Sequence, residues 1–369
     1  MFKVGAKSKS VSADEGRQPK LILTPEEPMS KSTQSQQRMV FCGIDVSAAM
    51  LDVALIEPDQ PLQQRQFANH ASGHKALIGW LAKCQGRARV SLEATGIYSL
   101  DLALALDAAP EVEVSVLNPK IVNRFAQTLR RSKTDAADAR VLAEYSQRMP
   151  FVAWTPPSLS GLRLRAVGRH IAALAAQHAR ERNRLHAAQS SQAVPGCVIQ
   201  DLKRSLVSVE RRLVKMRREA MALVRNDAEV EQRFRLLTGI PGIAEVSALA
   251  LLGELALLAP HLTARQWVAH SGLDPVHQES GTSVHRRSRI SRQGNRYLRK
   301  ALYMPALTAT RFDPHLKAFY AELLARHKAK LQALTAVARK MLHAIYGIFK
   351  TGTSYDGAKL FPALAATIA

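Results

Sequence analysis

Apolar residues from Met39 onward come in short blocks separated by polar breaks, and their spacing alternates between the strand period and the helix period. MVFCGIDVS and LDVALIEP read as strands, GHKALIGWLAKC as a helix, ARVSLEATG as a strand, LDLALALDA as a helix and VEVSVLNP as a strand. Two neighbouring strands ahead of the first helix predict an antiparallel hairpin feeding a partly parallel sheet. A further helix runs from about Asn118 through IVNRFAQTL. After the basic link Arg130-Arg131-Ser132-Lys133 another begins at Thr134, with Asp135 in its first turn. The layout is a three-layer α/β domain over residues 39–156, bounded by Pro156-Pro157.

Two heptad tracks follow. Leu164, Val167, Ile171, Leu174, His178, Glu181 and Leu185 repeat at spacings of three and four, as do Leu202, Leu206, Val209, Leu213, Met216, Ala220 and Leu223. With Ser190, Ser191, Pro195 and Gly196 supplying a turn, they predict an antiparallel coiled-coil hairpin over residues 157–232. At 1.5 Å per residue its arm is ~40 Å long, a reach suited to contact between copies or to spanning a nucleic acid. Residues 233–369 read as mostly α-helical, starting with two apolar helices joined by Gly239-Ile240-Pro241-Gly242 and ending in amphipathic helices to about Phe349. Residues 1–38, rich in Ser, Lys, Gln, Glu and Pro without periodicity, have the composition of a disordered arm.

Charge narrows the choice of partner. The chain carries 52 Lys and Arg against 30 Asp and Glu, a net charge of +22, with an isoelectric point near 10.4. This exceeds the level of about 9 that marks a nucleic-acid-facing protein. A disordered basic tail is excluded, because 47% of residues are hydrophobic and only 22% charged. Cys42, Cys84 and Cys197 lie far apart with no zinc spacing, which fits a reducing compartment. Neither a membrane span nor a signal peptide is expected, so the protein is read as cytoplasmic, meeting DNA or RNA there.

Four carboxylates are candidates for chemistry: Asp45 on the first strand, Glu93 at the end of a later one, and Asp135 with Asp138 on one helical face. Singly, Asp45 reads as a turn cap, Glu93 as a solvated strand end and Asp135 as a favourable charge at a helix start. Together they point elsewhere. Asp45 and Glu93 interrupt strongly apolar strands, where a buried unpaired charge is costly, and Asp138 lies too far into its helix to be a cap. Clustered carboxylates repel unless a cation sits among them, and hard oxygen ligands suit Mg²⁺ or Mn²⁺. Such ions serve in-line phosphoryl transfer.

The second cluster is basic. Arg286, Arg287, Arg289, Arg292, Arg296, Arg299 and Lys300 occur within residues 284–300 with no acid among them, and Arg130, Arg131 and Lys133 flank the acidic helix. Phosphate backbones are the expected partner of both groups. Upstream, Glu279-Ser280-Gly281-Thr282-Ser283 reads by itself as a turn or cap.

Asp45, Glu93 and the TDAADA helix, on this strand order, resemble a RuvC-like (RNase H-like) nuclease domain. GIDVS, LEATGIY, LNP and KTDAADAR, followed far downstream by ESGTS and GNRYLRKALYMPA, resemble the DEDD-type insertion-sequence transposases, described as bridge-RNA-guided serine recombinases. The resemblance covers about Met39 to Asp356; the 38-residue leader has no counterpart in it. It implies a RuvC-like DEDD domain, a coiled hairpin and a helical serine transposase domain. It also implies Ser280 as nucleophile, with Ser283, Ser288 and Ser291 as fallback candidates, and Asp45, Glu93, Asp135 and Asp138 as its metal-binding partners. Cleavage would leave a 5′-phosphoserine link and a free 3′-hydroxyl in a composite site shared between subunits of a dimer or tetramer. Donor and target DNA, together with a structured RNA encoded by the element, are the implied partners in the bacterial nucleoid. Competing readings are a metal-dependent junction resolvase that uses water, and a non-enzymatic nucleic-acid-binding scaffold.

Overall fold

The computed structural model describes residues 38–84, 86–94, 96–129, 134–280 and 284–361. The arm up to residue 37, together with Arg130, Arg131, Lys133 and Ser283, lies outside the described residues. The chain divides into two compact units, Met1–Ala153 and Trp154–Ala369.

In the first unit the elements run β1 (Met39–Val46), β2 (Met50–Ile56), β3 (Gln63–Ala68), α1 (Ala71–Leu81), β4 (Arg87–Glu93), α2 (Leu100–Asp107), β5 (Val112–Leu117), α3 (Pro119–Leu129) and α4 (Asp135–Arg148). The strands form one mixed sheet in the order β3-β2-β1-β4-β5. Antiparallel pairing joins β1 to β2 and β2 to β3, and parallel pairing joins β1 to β4 and β4 to β5. The expected hairpin-fed parallel sheet is therefore present, with a third antiparallel strand that the apolar pattern does not reveal. β3 reads QQRQFA, half of it exposed and none of it fully buried, because an edge strand with little burial needs no apolar alternation.

Strand β1 is covered on both faces. Val40, Cys42 and Ile44, one face of the strand, are fully buried. On the other face lie Gly43 and Asp45, and over Gly43 passes α4: a Cβ built on Gly43 would stand 2.1 Å from the Ala139 carbonyl oxygen and 2.2 Å from the Ala143 nitrogen. Gly43 pairs across the sheet with Ala54, and Ala54 packs with Ala139 and Ala143. Small residues on both surfaces thus bring helix and sheet backbones together. β3 contributes as well, since Gln64 Nε2 donates to the Ala136 carbonyl at 2.9 Å and ties the first turn of α4 to the edge strand.

The second unit contains α5 (Leu159–Gln189), α6 (Gly196–Arg225), α7 (Ala228–Thr238), α8 (Glu245–Leu255), α9 (Ala264–Ser271), β6 (Pro275–Ser280), β7 (Val284–Ile290), α10 (Arg296–Phe312), α11 (Pro314–Ala325), α12 (Lys330–Thr351) and α13 (Gly357–Leu360). Helices α5 and α6 pack against each other as a long hairpin, about 46 Å along the 31-residue α5 at 1.5 Å per residue. Its seam buries Leu164, Ile171 and Leu174 from α5 with Leu202, Val209, Leu213, Ala220 and Val224 from α6. At the polar step of the track, His178 Nε2 meets Glu210 Oε1 at 3.0 Å. The seam is continuous with the core formed by α8, α10 and α12, where Leu249, Leu298, Leu302, Val337, Met341 and Ile345 are almost wholly buried. Among the described residues, the one departure from an all-helical unit is the antiparallel β6–β7 hairpin. Its β7 strand reads VHRRSRI, and its charge density masks the extended pattern.

The helix–sheet contact predicts a specific sensitivity. Gly43→Ala forces α4 off β1 and is expected to cost about 1–3 kcal/mol or more, as overpacking against rigid backbone does. A urea titration compared with a Gly79→Ala control, where nothing stands within 4 Å of the added carbon, reads the difference.

Candidate nucleic-acid-processing site

Three separate local structures deliver the acidic residues to one place. Asp45 follows Ile44, which pairs with Leu92 of β4, so Asp45 and Glu93 each stand one residue past the last paired position of parallel neighbours. Both are at the carboxyl ends of their strands, where open α/β sheets present their sites. Helix α4 starts on Thr134, whose extended backbone and side-chain oxygen, accepting from Ala137 N at 3.3 Å, form an N-cap. This places Asp135 and Asp138 in the first turn, where the positive end of the helix dipole partly offsets their mutual repulsion. Because α4 lies on the Gly43–Asp45 face of β1, one oxygen each from Asp45, Asp135 and Asp138 can be drawn within 4.8 Å of one another.

Burial and this crowding leave a mark on Asp45, whose carboxyl is pushed up to about 6. Desolvation is the largest cause, followed by the charges of Asp138, Asp135, Glu93 and Asp52. Glu93 thus adds to the field around Asp45, although the converging trio is Asp45, Asp135 and Asp138. All donors are carboxylate oxygens, the set a hard divalent cation takes. The residues present fit such an ion.

Ser280 and the basic candidates of residues 284–300 lie in the second unit. Ser280 is the last residue of β6, with its backbone opposite Val284, and Arg286 lies opposite Gln278. Arg287 follows on β7, while Ser288 and Arg289 are exposed near its end. Ser291 is committed to the loop, donating to Asp274 Oδ1 at 2.5 Å and accepting from Gln293 N at 3.3 Å. Arg292 is exposed with φ 53°, and Arg296 and Lys300 are exposed in the first turns of α10. Arg299 turns inward, its Nη1 donating to the Ser271 carbonyl at 2.7 Å. No acid occupies the first turn of α10, so cations stand at the positive end of this 17-residue helix against the helix dipole. An anion at that end would reverse the sign of the interaction.

One group that the sequence reading passes over fixes this end of α10. Glu254, 5% exposed within the apolar helix α8, accepts from Arg169 Nε at 2.7 Å and Nη2 at 2.9 Å and from Asn295 Nδ2 at 2.5 Å. Asn295 in turn caps α10, accepting from Tyr297 N at 2.9 Å and Leu298 N at 3.1 Å. The Arg169 guanidinium lies 4.4 Å from the centre of the Tyr297 ring. Burial acts to raise the Glu254 carboxyl, but hydrogen bonds from Arg169 and Asn295 and the charges of Arg169 and Arg165 hold it below the usual glutamate range. Its signal in the sequence is a single acid inside ALALLGELALL. A helix, a buried carboxylate and a cap are thereby linked from α5 to the start of α10.

Comparison with known families gives this arrangement a class. Residues 42–190 match the DEDD family of IS110-type elements, described as "Transposase", and residues 234–321 match "Transposase IS116/IS110/IS902 family". The first match spans all four acids and the second spans Ser280 and the basic stretch. The pilin gene-inverting proteins of Moraxella bovis and Moraxella lacunata are each 27% identical over 322 residues, covering 86% of this chain and 97% of theirs. The insertion element IS110 uncharacterized 43.6 kDa protein of Streptomyces coelicolor is 30% identical over 159 residues, 43% of this chain and 38% of that one. The protein is an enzyme of the DNA transposase and recombinase class. Within it, the chain belongs to the IS110-type DEDD transposases of insertion sequences. No helix among the described residues is long and apolar enough to cross a membrane.

Glu254 is buried but the side chain of Arg169 is 39% exposed, so Glu254→Ala leaves a guanidinium that water can reach and costs chiefly the lost charged hydrogen bonds, about 1.5–3 kcal/mol in urea unfolding, with Glu254→Gln milder. The sign with pH follows from the depressed folded-state value. The carboxylate's contribution is present above the ordinary glutamate range and is lost as pH falls through the lower folded value. A Glu254→Gln protein should therefore lack part of the acid-side fall in stability seen in the wild type.

Proposed function

We propose that the protein cuts and rejoins DNA for an insertion sequence through a covalent serine intermediate, with a divalent cation, Mg²⁺ or Mn²⁺, held by Asp45, Asp135, Asp138 and Glu93. The observation that carries this reading is the convergence of Asp45, Asp135 and Asp138 in a chain of the IS110-type family. Its sheet order, with acids at the ends of β1 and β4 and on α4, is compatible with an RNase H-like nuclease domain. Bound there, the cation would supply positive charge to the phosphoryl group.

The chain's own residues account for the remaining steps. Ser280 Oγ attacks the scissile phosphorus and a new P–O bond forms. The bond from phosphorus to the 3′ oxygen breaks, the 3′ oxygen takes up a proton as the serine gives one up, and the 5′ phosphate remains esterified to Ser280. Attack by the 3′-hydroxyl of another strand reverses the exchange and releases the serine without net hydrolysis. Arg286, Arg287, Arg289, Arg292, Arg296 and Lys300, with Arg130, Arg131 and Lys133, hold the backbone and offset the charge on the phosphoryl oxygens. Arg299 anchors Ser271 and supports the same surface from within. As proposed, the nucleophile belongs to the second compact unit and the acids to the first, so both units are needed for one reaction. A homo-oligomer, dimer or tetramer, and an element-encoded guide RNA complete the reading, in the cytoplasm beside the nucleoid.

Two measurements test it. Incubation with a DNA junction carrying the element's ends is expected to give a protein–DNA adduct on denaturing gels that Ser280→Ala abolishes; cleavage with no adduct would instead identify a water-using resolvase. Mg²⁺ or Mn²⁺ is expected to raise the melting temperature of the wild type but not of Asp45→Asn. The metal-free variant should melt no lower than the metal-free wild type, because the substitution removes a repelled charge; an equal cation shift in both proteins would break the metal assignment.

A further inference from the structure

Helix α6 carries eight Lys and Arg against three Asp and Glu, and four of its arginines repeat at a spacing of seven: Arg204, Arg211, Arg218 and Arg225. At about 100° per residue a seven-residue step drifts only about 20°, so the four form one stripe. It is about 31 Å long at 1.5 Å per residue. The buried side of α6 is Leu202, Val209, Leu213, Ala220 and Val224, and the stripe lies roughly half a turn of the helix away from it. All four arginines are exposed, as is Lys215 beside Arg211 and Arg218. The stripe therefore has no part in holding the hairpin together.

Some arginines elsewhere in this unit are matched along their own helices, Arg184 to Glu181, Arg233 to Glu229, Arg235 to Glu231 and Arg326 to Glu322, whereas others, Arg163 and Arg180 among them, form no ion pair among the described residues. Among the described residues none of the four stripe arginines has a carboxylate partner, and Glu210 on the same helix pairs with His178 of α5. Exposed like charges about 10 Å apart are largely screened from one another, but a row of them without carboxylate partners is free to engage an extended polyanion and release its counterions. Self-pairing of this face between two copies would place arginine against arginine, which argues against an isologous contact there. The stripe's length is close to one turn of a DNA duplex, about 34 Å, so it can meet phosphates from one strand crossing to the next.

We propose that the Arg204–Arg211–Arg218–Arg225 face of α6 is a second DNA-binding surface, reading duplex backbone without regard to sequence and separate from the basic stretch of residues 284–300. It rests on the reading of the protein as a DNA-rejoining enzyme, and extends that reading to where the duplex flanking the reacting phosphate is held. Val207 and Val214, 46% and 67% exposed beside the stripe, offer only small apolar surface and leave the backbone contact to the arginines.

The test is the salt dependence of binding of the full chain to a duplex of unrelated sequence, read by fluorescence anisotropy between about 50 and 200 mM salt. Each lost phosphate contact lowers the magnitude of the slope of log K against log salt by about 0.9. Replacing all four arginines with Gln is expected to lower it by about 3.6, while replacing them with Lys leaves it near wild type. Should the quadruple variant not fold by circular dichroism, Arg211→Gln and Arg218→Gln, each expected to remove about one unit of slope, carry the test. An unchanged slope overturns the proposal, and so does a loss confined to structured RNA or to self-association measured by sedimentation. The serine adduct assay separates the two levels. An unchanged slope in a variant that still forms the adduct disproves the stripe and leaves the enzyme's chemistry standing, whereas a wild type that forms no adduct fails the chemistry whatever the slope.

Discussion

The acidic site depends on how near α4 can come to β1. Ala139 and Ala143 lie so close over Gly43 that no side chain fits between, and Ala54 on the neighbouring strand continues the same smooth surface. Asp45, two residues past Gly43 on the same face, Asp135, one turn before Ala139, and Asp138, the residue next to Ala139, converge because the backbones do. Larger residues at the contact would leave each carboxylate in place on its own element and still separate them. Polar groups at the periphery fix the remaining freedom of the helix, through the Thr134 cap and the Gln64 hydrogen bond to Ala136.

The two units manage buried charge in opposite ways. In the second, Glu254 is fully matched by Arg169 and Asn295, and its carboxyl is held below the usual range. In the first, Asp45 is surrounded by charges of its own sign and its carboxyl rises to about 6. A satisfied ion pair rigidifies, whereas a cluster of like charges is poised to take up a counter-charge. Glu254 therefore reads as a positioning residue that fixes the start of α10, and the Asp45 cluster is the group proposed to take up the cation.

Much of this was legible beforehand. The hairpin-fed sheet, the helix starting on Thr134, the long α5–α6 pair and the Gly-Pro break between α7 and α8 follow from apolar period, capping chemistry and breakers, all local properties. Asp45 was identifiable because a charge interrupting an apolar strand is locally anomalous, and Asp135 and Asp138 because they share one helical face; singly, first-turn acids are ordinary. What was not legible depends on tertiary partners. β3 has an unremarkable polar sequence and is a strand only because β2 offers it an edge. Strand β7 is dominated by arginine, and its pairing with β6 overrides the pattern. Glu254 looked like an isolated acid in an apolar helix because Arg169 lies 85 residues away in the chain. The arginine stripe was present in the sequence, but only the buried seam of α6 shows that it faces outward.

The borders of the five-stranded sheet constrain how copies of the chain can associate. On one flank β3 presents Gln63, Gln64, Arg65 and Gln66, with Arg65 stacked over Trp80. On the other, Glu113 of β5 is engaged by Arg87 and Arg89. The charges at these margins, Arg65 on one and Glu113 with its arginines on the other, discourage the strand-to-strand annealing by which β-proteins merge or aggregate. Any contact between copies of the chain is thereby steered away from a continuous sheet and toward helical surfaces, which can part without breaking a strand ladder.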